Sequence, residues 1–233
     1  MKKIIFLLIC TFALTLTAKT MEPKVGSWAK YKVKSNNDFV VYRIGITGKE
    51  DGGLWYETVI YEKEKGKTVK TVMSMLIKKN ENGEDAVQRF VMQHGKETAK
   101  EFPANLFHGM GEQQKAYFDQ LKEMENQNLA SKDKNIVVKT KKGSVKTPAG
   151  TFKVKIISVL DKSNNKKSDT YLSKSVGPYG VVQYVADGVT QITLLDYGKK
   201  GKSQITGKIQ KLDLGKEMGN MLKNNFGGMF NKE

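Results

Sequence analysis

The chain has 233 residues, enough for one sizeable domain, and carries 40 Lys and Arg against 24 Asp and Glu, a formal net charge of +16 at pH 7. Only Arg43 and Arg89 supply the planar fork that reads phosphates and guanine edges, so nucleic acid is not an expected partner. The lone cysteine, Cys10, excludes an intramolecular disulfide framework and a cysteine-rich metal site.

At the N-terminus, Lys2 and Lys3 precede an apolar run from Ile4 to Leu16, and Ala18 offers a small residue for a peptidase. These are the three parts of a secretory signal peptide, predicted over residues 1–18, and the run is shorter than the ~20 apolar residues that span a bilayer. Cleavage after Thr17 and after Ala18 both fit. Cys10 follows Ile9 and sits inside the apolar run, whereas a lipidated cysteine ends such a run after a small residue. It reads as one more apolar residue of the leader, with lipidation as the alternative. Export to the periplasm is expected, with association with the outer membrane as a further option.

Five strands are predicted next. They are Gly26 to Lys34, Phe39 to Thr47, Leu54 to Tyr61, Thr68 to Lys78 and Ala86 to Met92. The first alternates Ala29, Tyr31 and Val33 against Trp28, Lys30 and Lys32, which is strand periodicity. Asp51-Gly52-Gly53, Lys65-Gly66-Lys67 and Asn82-Gly83 are turn signals, because glycine tolerates positive φ. Short strands at this spacing indicate an antiparallel barrel or sandwich.

The stretch from Phe102 to Gly111 is apolar but broken by Pro103, Gly109 and Gly111. From Glu112 to about Leu129, the positions Tyr117, Leu121, Met124 and Asn128 fall at helical spacing. A helical insert at about 101–130 is therefore predicted between two β halves. Strands follow over Asn135 to Lys141, Gly143 to Thr147, Thr151 to Asp161, Asp169 to Ser173, Val181 to Ala186 and Thr190 to Tyr197. A last strand is predicted over Ile205 to Lys211. Asp213 caps an expected helix at about 213–226, with Leu214, Met218, Met221, Leu222 and Phe226 on one stripe. That stripe either packs on the sheet or, beside Lys216 and Lys223, lies on a membrane surface.

The chemistry-bearing residues are few. His94 and His108 both adjoin glycine and show no zinc-signature spacing. No G-x-S-x-G elbow is present, and Gly198-Lys199-Lys200-Gly201-Lys202-Ser203 lacks the spacing of a phosphate loop and reads as a basic hairpin. No enzyme, metal or cofactor is expected. The apolar inventory carries more: Met73, Met75, Met92, Met110 and Met124 gather around the end of the meander and the insert. With Phe102, Leu106 and Phe107 they form the candidate lining of an apolar cavity, because methionines repack cheaply around lipid-like ligands. The same stripe also reads as core. The scattered lysines read as a solvated surface or as attraction to an anionic membrane surface.

Val145-Lys146-Thr147-Pro148-Ala149-Gly150-Thr151-Phe152 resembles the "PAGTF" turn of exported β proteins similar to the lipoprotein carriers LolA and LolB. Tyr171-Leu172-Ser173, the turn Gly177-Pro178-Tyr179-Gly180 into Val181-Val182, and Thr193-Leu194-Leu195-Asp196-Tyr197-Gly198 continue that pattern. Val25-Gly26-Ser27-Trp28-Ala29-Lys30-Tyr31 resembles its "G-x-W-x-x-Y" opening. The resemblance implies a curved antiparallel sheet or incomplete β-barrel, with helices on the concave side, binding acyl chains without catalysis. The expected fold is thus mainly β with a helical insert (α+β), as one domain over 19–233. The expected function is a carrier holding a lipid or lipoprotein acyl chain near a membrane. The alternative is a basic secreted or surface protein that docks on an acidic partner through its lysines.

Overall fold

A computed structural model of the protein describes residues 24–35, 38–64, 66–83, 85–103 and 135–212. The first meander comprises β1 (Trp28–Ser35), β2 (Asp38–Glu50), β3 (Gly53–Glu64), β4 (Lys67–Lys79), β5 (Asp85–His94) and β6 (Ala99–Phe102). The second comprises β7 (Ile136–Thr147), β8 (Gly150–Asp161), β9 (Lys166–Leu172), β10 (Val181–Ala186) and β11 (Val189–Gly198), and β12 (Ile209–Lys211) follows. All twelve share one open sheet in the order β12-β6-β5-β4-β3-β2-β1-β11-β10-β9-β8-β7. The two meanders therefore meet at a single seam, where β1 pairs antiparallel with β11. The sheet is mixed, because β12 runs parallel to β6.

Local sequence explains most of these elements. At the β2–β3 turn, Asp51 and Gly52 adopt φ of +48° and +82°. At the β10–β11 turn, Asp187 and Gly188 adopt +48° and +76°. Two successive positive-φ residues make the tight turn whose twist suits a hairpin. Between the turns, strand alternation puts apolar side chains on one face, here called the inner face. In register across the seam, Ala29, Tyr31 and Val33 lie beside Ile44, Tyr42 and Val40 on one side and Tyr197, Leu194 and Ile192 on the other.

The core sits on this face around the seam. Ala29, Tyr31, Tyr42, Leu194, Val176 and Val182 are fully buried, and burying each larger apolar side chain contributes about 1.5–3 kcal/mol. The loop between β9 and β10 covers the face, contributing Val176 and Tyr179 to the core cluster. The Tyr31 hydroxyl donates to the Val181 carbonyl at 3.0 Å. The Phe152 and Tyr197 rings meet edge-on at 5.5 Å although β9 and β10 lie between their strands. This end of the sheet is accordingly curled.

Five expectations are corrected, the first being that the sheet is mixed, through the parallel β12–β6 pair, where a wholly antiparallel one was expected. The described residues are all β with no helix, so the α+β class with a helical insert does not hold. Where the insert was expected to begin, Glu101 and Phe102 are in β6, drawn into the sheet by pairing with β5 and by the Phe90–Phe102 ring contact at 5.6 Å. Residues 104–130 of that expected insert, the helix at 213–226 and the leader lie outside the described residues. On the concave side, helices were expected; at the seam the space is filled instead by the β9–β10 loop and by Phe152, Val154 and Ile156 of β8. The Gly198–Ser203 stretch is not a hairpin, and the last strand is only Ile209–Lys211: residues 199–208 form an extended strap without ladder pairing.

Candidate functional site

The inner face changes character along the sheet. At β1 and β2 it is buried, with Tyr31, Tyr42 and Ile46 at 0% exposure. Moving outward, Ile46 lies opposite Tyr56 on β3, Tyr56 opposite Met75 on β4, Met75 opposite Phe90 on β5, and Phe90 opposite Phe102 on β6. One pleat along, Ile44 faces Thr58, Thr58 faces Met73, and Met73 faces Met92. Tyr56, Met73, Met75, Phe90, Met92 and Phe102 are all half-buried. None belongs to the core cluster around the seam.

This arrangement brings together Met73, Met75, Met92 and Phe102, four of the residues singled out from sequence. Leu106, Phe107, Met110 and Met124 lie outside the described residues. Tyr56 and Phe90 belong to the same face and were missed. Strand alternation was the available signal: Tyr56 sits two positions before Thr58, and Phe90 two before Met92. The face is mostly unbranched sulfur and flat ring, with the Tyr56 hydroxyl and the buried Thr58 as its polar elements. Burial pushes the Tyr56 hydroxyl above its ordinary pKa, with the Asp85 carboxylate adding to the effect, so it stays a neutral donor. Such a surface offers adaptable apolar contact and few fixed hydrogen bonds.

The opposite face is closed by the strap, residue by residue. The Gly201 N–H donates to the Gly26 carbonyl at 2.7 Å. The Ser203 hydroxyl donates to Glu57 Oε2 at 2.6 Å, and the Gln204 N–H lies 3.0 Å from both Glu57 oxygens. The Thr206 N–H donates to the Gln93 side-chain oxygen at 2.9 Å, and the Gln93 amide returns a bond to the Thr206 carbonyl at 3.0 Å. The strap thus crosses from the seam to β5 before β12 pairs with β6. The Glu57 side chain is 0% exposed. Burial raises its pKa, while Ser203, the Gln204 N–H, Arg43 and Lys70 pull it back down. Arg43 Nη1 is 3.5 Å from Glu57, and its guanidinium centre is 4.9 Å from the Trp28 ring centroid. These groups answer one another, so the cluster holds the strap in place.

A second ionic group lies toward the β6 edge of that face. Arg89 donates to Glu101 at 2.8 and 2.9 Å and to Glu50 at 2.6 Å. The Glu50 carboxylate also accepts from the Trp55 indole at 2.9 Å. His94 ends β5 with Nδ1 2.9 Å from the Thr71 hydroxyl and Nε2 3.5 Å from Glu64, and His108 lies outside the described residues. Among the described residues no group of three His, Cys, Asp or Glu is placed to hold a metal ion. An open, polar cleft of about 570 Å³ lies by the β4–β5 turn, lined by Lys78, Lys79, Asn80, Glu81, Asn82 and Gln88.

No protein-family model matches the chain, and no curated protein matches it. Among solved structures, MucB is similar with a TM-score of 0.44 at 10% identity, over 84% of this chain and 61% of that one. The chain thus spans about three fifths of MucB's length. A putative exported protein with a YmcC-like fold from Bacteroides fragilis is similar with a TM-score of 0.27 at 10% identity, over 77% of this chain and 98% of that one. At these scores both likenesses are loose.

Proposed function

We propose that this chain is an exported, non-catalytic binding protein that holds a lipid-like apolar ligand against the Met and Phe half of its inner face. The observation that carries the reading is the half-buried row Tyr56, Met75, Phe90 and Phe102 with its neighbours Met73 and Met92, continuous with the core yet outside it. Contiguous apolar surface of this kind marks a place where a soluble protein takes up a ligand or partner. Methionine and ring side chains suit an acyl chain, which needs contact area and no directional bond. Export rests on the N-terminal leader, whose charged start and short apolar run fit a secretory signal.

Mass spectrometry of lipids extracted from protein purified out of native membranes tests this directly. A co-purifying acyl lipid that is lost in a Phe90→Glu variant of unchanged urea midpoint supports the reading. Protein that carries no lipid and takes up none from added fatty acid contradicts it.

A further inference from the structure

The β7–β8 hairpin has two unlike faces. On one, Phe152, Val154 and Ile156 are buried in the core, with Val145 packed against it. On the other, Lys142, Ser144 and Lys146 of β7 lie opposite Lys155, Lys153 and Thr151 of β8. All four lysines are exposed. No acidic residue stands among these six positions, and among the described residues none of the four lysines has an ion-pair partner. Lys142 and Lys155 are direct cross-strand neighbours, an arrangement that is destabilising for like charges.

Edge protection accounts for only half of this. β7 is the outermost strand of its end of the sheet, and lysine on an edge strand deters pairing with another chain. β8 has strands on both sides, so Lys153 and Lys155 have no such task. The buried side chains beneath them hold the hairpin as a firm plate, and strand spacing sets Lys142 and Lys146 about 13 Å apart.

We propose that this lysine face docks the protein on an anionic phospholipid bilayer. An acidic protein is a poorer occupant, because interface centres draw on aromatic, Met and Arg side chains and are depleted in Lys. Single-stranded nucleic acid needs aromatic platforms for its bases, and the six positions offer hydroxyls and lysines alone. A bilayer surface needs only basic groups held near its plane, each contributing about fivefold to binding. The face shares no residue with the Met and Phe surface, so this inference stands apart from the apolar-ligand reading.

Vesicle co-sedimentation tests it, using phosphatidylcholine alone and phosphatidylcholine with phosphatidylglycerol. The protein is expected to bind the anionic vesicles only, and to release them as salt rises. A quadruple variant Lys142→Gln, Lys146→Gln, Lys153→Gln, Lys155→Gln is expected to lose about several hundredfold. A matched variant, Lys49→Gln, Lys63→Gln, Lys67→Gln, Lys96→Gln, removes the same charge from exposed lysines elsewhere and is expected to lose far less. Urea midpoints of both variants establish that they fold, the hairpin variant at or above the parent. No vesicle binding by the parent protein at low salt overturns the proposal, as does an equal loss in the two variants. Binding of an acidic polypeptide or single-stranded DNA through these lysines, in preference to the vesicles, overturns it as well.

Discussion

Glu57 is a carboxylate in a place where burial opposes its charge. Its oxygens are met by Ser203, the Gln204 N–H and Arg43, so removing the side chain leaves Arg43 nearly buried without its partner and two strap donors unanswered. Glu57→Ala is expected to cost about 3–5 kcal/mol in urea unfolding. Its raised pKa also sets a sign. A carboxyl that holds its proton more tightly when folded contributes stability that is complete below its ordinary value, near 4.3, and lost as pH rises through the folded value. Glu101 runs the other way, because the Arg89 hydrogen bond holds its carboxyl below the usual range. That contribution is present above about pH 4.3 and lost as pH falls through the folded value. Urea midpoints measured from pH 3 to 7 are therefore expected to fall less steeply at the acid end in Glu101→Gln than in the parent protein. A parallel pair of curves would contradict the assignment. Tyr31→Phe removes the donor to the buried Val181 carbonyl and is expected to cost about 1–3 kcal/mol.

The strap is the element that sequence reading mistook. Its glycine, lysine and serine pattern suggested a basic hairpin, since alternation and turn residues report local preference only. What makes it a strap is non-local: a carboxylate on β3 and an amide on β5 answer backbone groups more than a hundred residues away. Gly201 shows the fit. A Cβ there would come within 2.6 Å of Arg43 Nη2 and 2.7 Å of Trp28 Cδ1, closer than packed atoms approach. Gly201→Ala is thus expected to lift this end of the strap, with a loss of about 1–3 kcal/mol and faster proteolysis between Lys199 and Lys208 than in the parent protein. Equal cleavage rates would show that the strap is not seated as described. The hairpins, by contrast, were legible. Asp51-Gly52 turns where glycine was expected to take positive φ, Pro148 and Ala149 form the β7–β8 turn, and Tyr171-Leu172-Ser173 leads into the Gly177–Gly180 turn, whereas the expected break between Lys141 and Gly143 is absent because β7 pairs with β8 along its whole length. β6 was not legible, because its four residues become strand only by pairing with β5 on one side and β12 on the other.

At the scale of the whole molecule, one seam between β1 and β11 joins two meanders and decides where the core lies. Composition and periodicity announced the β content and, in the first strand, the alternation of Ala29, Tyr31 and Val33 that the core then buries. They did not announce the order of strands, since the seam pairs residues about 165 positions apart. The candidate site was legible in the same partial way. Met73, Met75 and Met92 stood out by residue type, and the register then set Met73 beside Met92 and added Tyr56 and Phe90. The central claim is that this outer half of the inner face takes up an apolar ligand. A titration with a fluorescent fatty acid, comparing the parent protein with a Met75→Glu variant, tests it most directly. Saturable binding by the parent, weakened about tenfold or more by a buried charge in the contact surface, is the predicted result. Absence of saturable binding, or equal binding by a folded Met75→Glu variant, would contradict it.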